Sequence, residues 1–185
     1  QSYIISEDVS EKLSDTKSSQ GVFAVCFIKE SNDFTLSDNA KVIALDNVQD
    51  PGNLGAIIRT AEALGIDAVI VGGGCDLYNP KALRATMGSA LRINIKQTDN
   101  LESVLTELKK RNIPVYATSP DSSAFPITDV DFSKGGVCVI GNEANGVSDE
   151  IKALCDSLIT IKMLGRAESL NASVAASITM WEMVR

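Results

Sequence analysis

Residues 41–74 read KVIALDNVQDPGNLGAIIRTAEALGIDAVIVGGG, and this stretch decides the fold class. Val42–Leu45 is a short apolar run of strand character. It stops at Asp46-Asn47, and Asp50-Pro51-Gly52-Asn53 supplies a turn and a helix start, with Asn53 able to cap. Leu54, Ile57, Ile58, Ala61 and Leu64 then recur at helical spacing. Gly65, just past the last of them, closes the helix. Ala68–Val71 is a second strand, running into Gly72-Gly73-Gly74. A strand, a helix and a strand in such close succession form a crossover unit with parallel strands.

The same alternation continues downstream. Asn79–Ser89 reads as a helix opened by Pro80, and Arg92–Lys96 as a short strand. Leu101, Val104, Leu105 and Leu108 make an amphipathic helix, with Lys109, Lys110 and Arg111 suited to its C-terminal end. Pro114–Thr118, Val137–Ile140 and Leu158–Ile161 read as strands, Ser148–Leu154 as a short helix and Asn171–Val184 as the last helix. Upstream, Val22–Ile28 is a strand candidate, 30–39 a polar turn region and 1–20 a polar lead-in with one short helix. The expected architecture is α/β, a mostly parallel sheet with helices on both faces. Ligands of such sheets lie beyond the C-terminal strand ends, which directs attention to 46–59, 118–120, 141–146 and 161–171.

Composition excludes several chemistries. The 185 residues include no histidine, which removes Ser-His-Asp and Cys-His catalysis and most zinc sites; no metal is expected. Cys26, Cys75, Cys138 and Cys155 form no CxxC pair and sit beside apolar or small residues, as buried free thiols do. That usage suits a reducing, cytoplasmic setting. No apolar run is long enough for a membrane span. The net charge of −7 argues against nucleic-acid binding by the whole surface, since neutralising phosphates takes a basic patch; a local patch or another domain would have to supply it. The first residue is Gln1, so the start reads as a boundary within a longer protein.

Three segments carry the candidate chemistry. In the first, Asp50-Pro51-Gly52-Asn53-Leu54-Gly55 leads to Arg59-Thr60-Ala61. Gly55 permits close approach to the first helical turn, and Arg59 lies off the apolar stripe. A purely structural account makes Asn53 a cap and pairs Arg59 with Glu62 at i+3. The second, Gly141-Asn142-Glu143-Ala144-Asn145-Gly146, frames a carboxylate between glycines at a strand end; structurally it could be a tight loop with a cap. The third, Ile161-Lys162-Met163-Leu164-Gly165-Arg166-Ala167-Glu168-Ser169-Leu170-Asn171, opens a helix rich in small residues, which Ser169 or Asn171 can cap. No dinucleotide fingerprint fits: the spacing fails at 141–146, and Leu77 stands where Gly72–Gly74 would need a third glycine. No phosphate-binding GK[ST] occurs.

Together, from about Lys41 to Arg185, these segments resemble the signature motifs of the SpoU (TrmH-like) branch of the SPOUT RNA methyltransferases. The resemblance implies transfer of a methyl group from S-adenosylmethionine to a ribose 2′-hydroxyl of RNA, with ribosomal RNA the expected substrate class and transfer RNA the alternative. It also implies a C-terminal trefoil knot and a homodimer, with the last helix and Trp181 in the contact. By the resemblance, Thr118, Gly141, Ile161, Met163 and Leu170 hold the cofactor, and Arg59, Asn53, Glu143, Ser169 and Asn171 form the catalytic or RNA-positioning set. The mechanism expected here gives Arg59 the adjacent phosphate and the developing oxyanion, with Glu143 and Asn53 holding it in place. Lys162 stands where the family usually has Pro. Residues 1–20 are expected to be a linker or remnant of an upstream RNA-binding domain, and 21–185 the catalytic domain. A catalytically idle RNA-binding protein on the same fold and a nucleotide-dependent oxidoreductase are the competing classes. The intact polar set argues against the first, the failed glycine fingerprints against the second.

Overall fold

A computed structural model describes residues 1–14, 16, 19–27, 35–121 and 123–185. The chain forms two compact units, Gln1–Glu30 and Ser31–Arg185. In the first, Ser6 caps helix α1 (Glu7–Leu13) by accepting from the Val9 N–H, and no residue of α1 is buried. The strand expected at 22–28 does not form over Val22–Phe27. Val22, Val25 and Phe27 are exposed there, and β-branched composition alone gives a segment no ladder partner for its backbone groups. Ile28 and residues 30–34 of the expected turn region lie outside the described residues.

The second unit is a seven-stranded sheet built from β1 (Lys41–Asp46), β2 (Ala68–Gly72), β3 (Asn94–Thr98), β4 (Val115–Thr118), β5 (Phe125–Pro126), β6 (Gly136–Ile140) and β7 (Ser157–Thr160). The order is β3-β2-β1-β6-β4-β7-β5, and every strand pairing is parallel. Its helices are α2 (Pro51–Ala63), α3 (Pro80–Ala85), α4 (Leu101–Lys110), α5 (Asp149–Leu154) and α6 (Ala172–Val184). Alternate strand residues serve opposite faces. Val42 and Ala44 of β1 pack with Leu101, Leu105 and Leu108 of α4 and Ile151 of α5. Ile43 and Leu45 pack with Leu54, Ile57 and Ile58 of α2, Ala82 of α3, and Ala176, Met180 and Met183 of α6. Each fully buried Leu or Ile contributes roughly 1.5–3 kcal/mol of apolar burial, which is why the strands read as continuous apolar runs.

Three local differences from the sequence expectation have identifiable causes. Asp50, not Asn53, caps α2, accepting from the Asn53 N–H. Helix α3 ends at Ala85 rather than Ser89, because Met87 and Gly88 turn to positive φ (50° and 85°) and a 3-10 turn, Ser89–Leu91, follows. That turn uses Arg92 and Ile93 N–H groups for bonds to the Ser89 carbonyl, so β3 starts at Asn94, two residues later than expected. The cysteines also divide: Cys138 is buried in β6, Cys75 and Cys155 are half-buried, and Cys26 is exposed.

The strand order matters most for function. The segments singled out at strand ends follow β1, β4, β6 and β7, and those four strands are neighbours, in the order β1-β6-β4-β7. β7 lies between β4 and β5, two strands that precede it in the chain. Among the described residues no helix is long and apolar enough to cross a membrane.

Candidate functional site

The loop after β6 is shaped by its own side chains. The Asn142 carboxamide oxygen accepts from the Ala144 and Asn145 N–H groups, and its amide donates to the Asn47 carbonyl at 2.9 Å. Asn142 and Gly146 exchange backbone bonds of 2.9–3.0 Å, closing the loop on itself. Gly141 is required by this closure: a Cβ there would lie 2.0 Å from backbone atoms of Gly146 and Val147. The loop is tied to β1 by the Asp46 carboxylate, which accepts from the Ser148 N–H at 2.7 Å.

This closed loop delivers Glu143 to the start of α2. Its carboxylate accepts from the Gln49 and Asp50 N–H groups, both at 3.1 Å, and from the Asn53 amide at 2.9 Å. Partial burial acts to raise the Glu143 carboxyl, but these hydrogen bonds outweigh it and hold the group below its ordinary value. Asn53, one of the few buried polar side chains, also accepts at its oxygen from the Asn171 amide at 3.0 Å. Asn171 in turn caps α6 through bonds from the Ser173 and Val174 N–H groups. A continuous relay, Glu143–Asn53–Asn171, thus locks the loops after β1, β6 and β7 together.

Beside the relay is a cavity of about 620 Å³. Thr118, Gly141, Ile161, Met163 and Leu170, the five residues expected to hold a cofactor, all line it, as do Glu143 and Ser169. The Thr118 hydroxyl donates to the Val139 carbonyl at 2.9 Å, pinning β4 to β6 at the cavity edge. Asn53 and Asn171 stand behind the lining, through the relay. Arg59 is apart: it is exposed and outside the lining, and its side chain makes no hydrogen bond or ion pair among the described residues. Both expectations for it therefore change. Glu143 and Asn53 hold each other rather than Arg59, and Glu62 pairs with Arg92 at 2.9 Å instead. The role of Asn142 was missed in the sequence, although an Asn whose side-chain oxygen accepts from N–H groups two and three residues on is the spacing of a side-chain-closed turn.

The cavity's chemistry is mixed. Ile140, Ile161, Met163, Leu170 and Ala172 give it apolar walls, and Asp121, Glu143 and Glu168 give it three carboxylates against one cation, Lys152. The Asp121 carboxyl is held below its ordinary value by bonds from Ser123, first of all from its backbone N–H. Such a site suits a ligand with a flat apolar part and a positive charge. No group of three metal-ligating side chains occurs among the described residues.

Residues 40–181 match the family model described as the SpoU rRNA Methylase family. The chain belongs to the SpoU rRNA methylase family. Among SpoU relatives, the 23S rRNA (guanosine(2553)-2′-O)-methyltransferase RlmP of Bacillus subtilis (strain 168) is 38% identical over 184 residues, which are 99% of this chain and 72% of that protein. The 23S rRNA (guanosine-2′-O-)-methyltransferase RlmB of Acinetobacter baylyi is 37% identical over 189 residues, 97% of this chain and 76% of that protein. The solved SpoU methyltransferase AviRb from Streptomyces viridochromogenes, in complex with AdoMet, superposes with a TM-score of 0.78 at 31% identity. That match covers 85% of this chain and 65% of the solved one, so this chain spans a little under two thirds of that molecule.

Proposed function

We propose that this chain is the catalytic domain of an RNA ribose 2′-O-methyltransferase acting on ribosomal RNA with S-adenosylmethionine as donor. The observation that carries the reading is the junction of the relay and the cavity: Glu143, Asn53 and Asn171, one from each motif segment, are hydrogen-bonded together, and Glu143 also lines the cavity. The cavity suits the donor, with apolar walls for an adenine and carboxylates for a sulfonium. When bound, the donor supplies a methyl group already activated for attack, so the protein needs only to place a ribose oxygen in line and manage one proton.

The roles of the side chains follow from their bonding. Glu143 is a carboxylate committed to three donors, so it positions Asn53 and the start of α2 rather than taking the proton. Ser169, exposed in the lining, is free to orient the ribose or its phosphate. Arg59 brings a guanidinium, with donors and no acceptor, and serves as the partner of the adjacent phosphate and of charge developing on the ribose oxygen.

The reading includes a homodimer and a knotted C-terminal end. Val174 and Trp181, seven residues apart on α6, are 46% and 57% exposed on one stripe of the helix, which supports a contact with a second copy. Placement of β7 between two earlier strands supports the threaded C-terminal passage. Residues 1–20 are assigned to a linker from an RNA-binding domain.

The test is transfer of labelled methyl groups from S-adenosylmethionine to unmodified 23S ribosomal RNA. Arg59→Ala should abolish transfer and leave donor binding, measured by calorimetry, within about twofold. Loss of donor binding in that variant would overturn this division of labour; absence of transfer by the wild type would overturn the function.

A further inference from the structure

Helix α2 presents one stripe to α3 and the turn that follows it. A Cβ on Gly55 would come within 2.4 Å of the Ala85 Cβ and 2.7 Å of the Ala82 carbonyl. Two turns further along, the Glu62 carboxylate accepts from the Ser89 hydroxyl at 3.2 Å and from Arg92 Nε at 2.9 Å. Arg59 is four residues after Gly55 and three before Glu62, so it lies at the exposed edge of that stripe.

The turn at 86–88 is held firmly in an unusual shape. Met87 sits at φ 50°, a left-handed conformation that is costly for a bulky side chain. Bonds from Met87 N to Arg84 O, from Ser89 N to Thr86 O and from the Thr86 hydroxyl to Leu83 O keep it there, and Thr86 and Ser89 are buried. The result is a rigid tip on which Met87 and Leu91 are 68% and 89% exposed. A strained residue fixed by so many contacts, with its apolar side chain in water, points to a partner. The surroundings say which kind. Residues 81–97 contain Lys81, Arg84, Arg92 and Lys96 and no acid, in a chain with 24 Asp and Glu and a net charge of −7; Lys81 faces Asp50 at 3.7 Å and Arg92 is held by Glu62 at 2.9 Å, so the anion contact is assigned to Arg59 and Arg84. Three of the chain's six arginines, Arg59, Arg84 and Arg92, belong to this stripe and turn.

We propose that the Met87 turn, with Leu91 and the flanking arginines Arg59 and Arg84, is an RNA-recognition surface on which Met87 wedges against an unstacked base while the arginines contact phosphates, Arg92 being held by Glu62 as part of the frame. Apolar side chains including Met and Leu act as such wedges between bases, and sequence-specific RNA recognition targets splayed, unpaired nucleotides. The surface would select among substrate sites without touching the methyl donor. This inference rests on the RNA methyltransferase reading above.

The test uses the full chain, S-adenosylmethionine and 23S ribosomal RNA transcribed in vitro. Met87→Gly removes the wedge and suits the positive φ, so the thermal midpoint should be unchanged or higher and donor binding unchanged. KM for the RNA should rise about tenfold, with kcat within about twofold, and Leu91→Ser should act in the same direction. Arg84→Gln should lower the slope of log affinity against log salt by about one. If the wild type methylates RNA and all three variants leave KM and the salt slope unchanged, the inference is wrong and the function stands. If Met87→Gly instead shifts sedimentation toward a smaller species with RNA parameters intact, the tip is a self-contact and the inference is also wrong. If the wild type methylates no RNA, both readings fall.

Discussion

Glu143 accepts three hydrogen bonds while much of its surface remains in water. Its carboxyl titrates below the ordinary value of 4.5, so the folded chain takes up that proton less readily than the unfolded one. The stabilisation is therefore complete above about pH 4.5 and disappears as pH falls through the folded-state value. Between about pH 6 and pH 3 the urea midpoint of the wild type should fall more steeply than that of Glu143→Gln. At neutral pH the same substitution should cost about 1 kcal/mol, a charged hydrogen-bond contribution discounted for exposure. Parallel unfolding curves for the two proteins across that range would contradict the assignment. Asn53 illustrates what sequence could not supply at this scale. Its position one turn into a helix fits a cap, but Asp50 takes that role, and partners 90 and 118 residues away leave no local signal. Asn171 differs because capping is local: the bonds it accepts from two and three residues ahead were readable from the chain.

At the scale of elements, packing between helices gives two predictions of opposite sign. Gly55 lets α3 cross α2 so closely that any Cβ would clash with Ala85 and the Ala82 carbonyl. Gly55→Ala should therefore destabilise by about 1–3 kcal/mol through overpacking, despite alanine's better helix propensity, and calorimetry should show a lower thermal midpoint. The close approach that sequence reading attributed to Gly55 is real, but α3 occupies it. On α6, Thr179 is fully buried and its hydroxyl has no hydrogen-bond partner among the described residues. Thr179→Val keeps the shape and removes the unsatisfied group, so the midpoint should rise, with a gain of about 1 kcal/mol; a fall would mean the hydroxyl has a partner in solution. Most elements of the sheet were legible because β1, β2 and β6 are bounded apolar runs and α2 and α4 carry 3.6-residue apolar stripes. Phe125–Pro126 was not, since two residues containing a proline carry no periodicity, and it survives only as a parallel edge on β7. Val22–Phe27 failed in the opposite way, with strand composition and no pairing neighbour among the described residues.

At the scale of the whole molecule, the motifs come together because β6 is placed between β1 and β4, and β7 beside β4. Chain order gives no hint of that permutation, so sequence could place each motif at a strand end without showing that the ends adjoin. Arg59 shows the remaining gap: its motif is intact, yet within one chain it stands outside the cavity lining. The proposed homodimer makes a direct prediction here. Trp181→Glu puts a charge on the exposed stripe of α6 and should convert a dimer to a monomer by analytical ultracentrifugation, with transfer activity lost alongside. A variant that stays the same size would argue against α6 as the contact.

The proposed activity places a methyl group on a ribose oxygen of ribosomal RNA. Mass-spectrometric mapping of ribose methylation should be compared between cells lacking the full-length gene and cells carrying it or its Arg59→Ala form. One 2′-O-methyl nucleotide in ribosomal RNA should vanish in the deletion, return with the wild type and stay absent with the variant. A methylation map identical in all three strains would contradict the account.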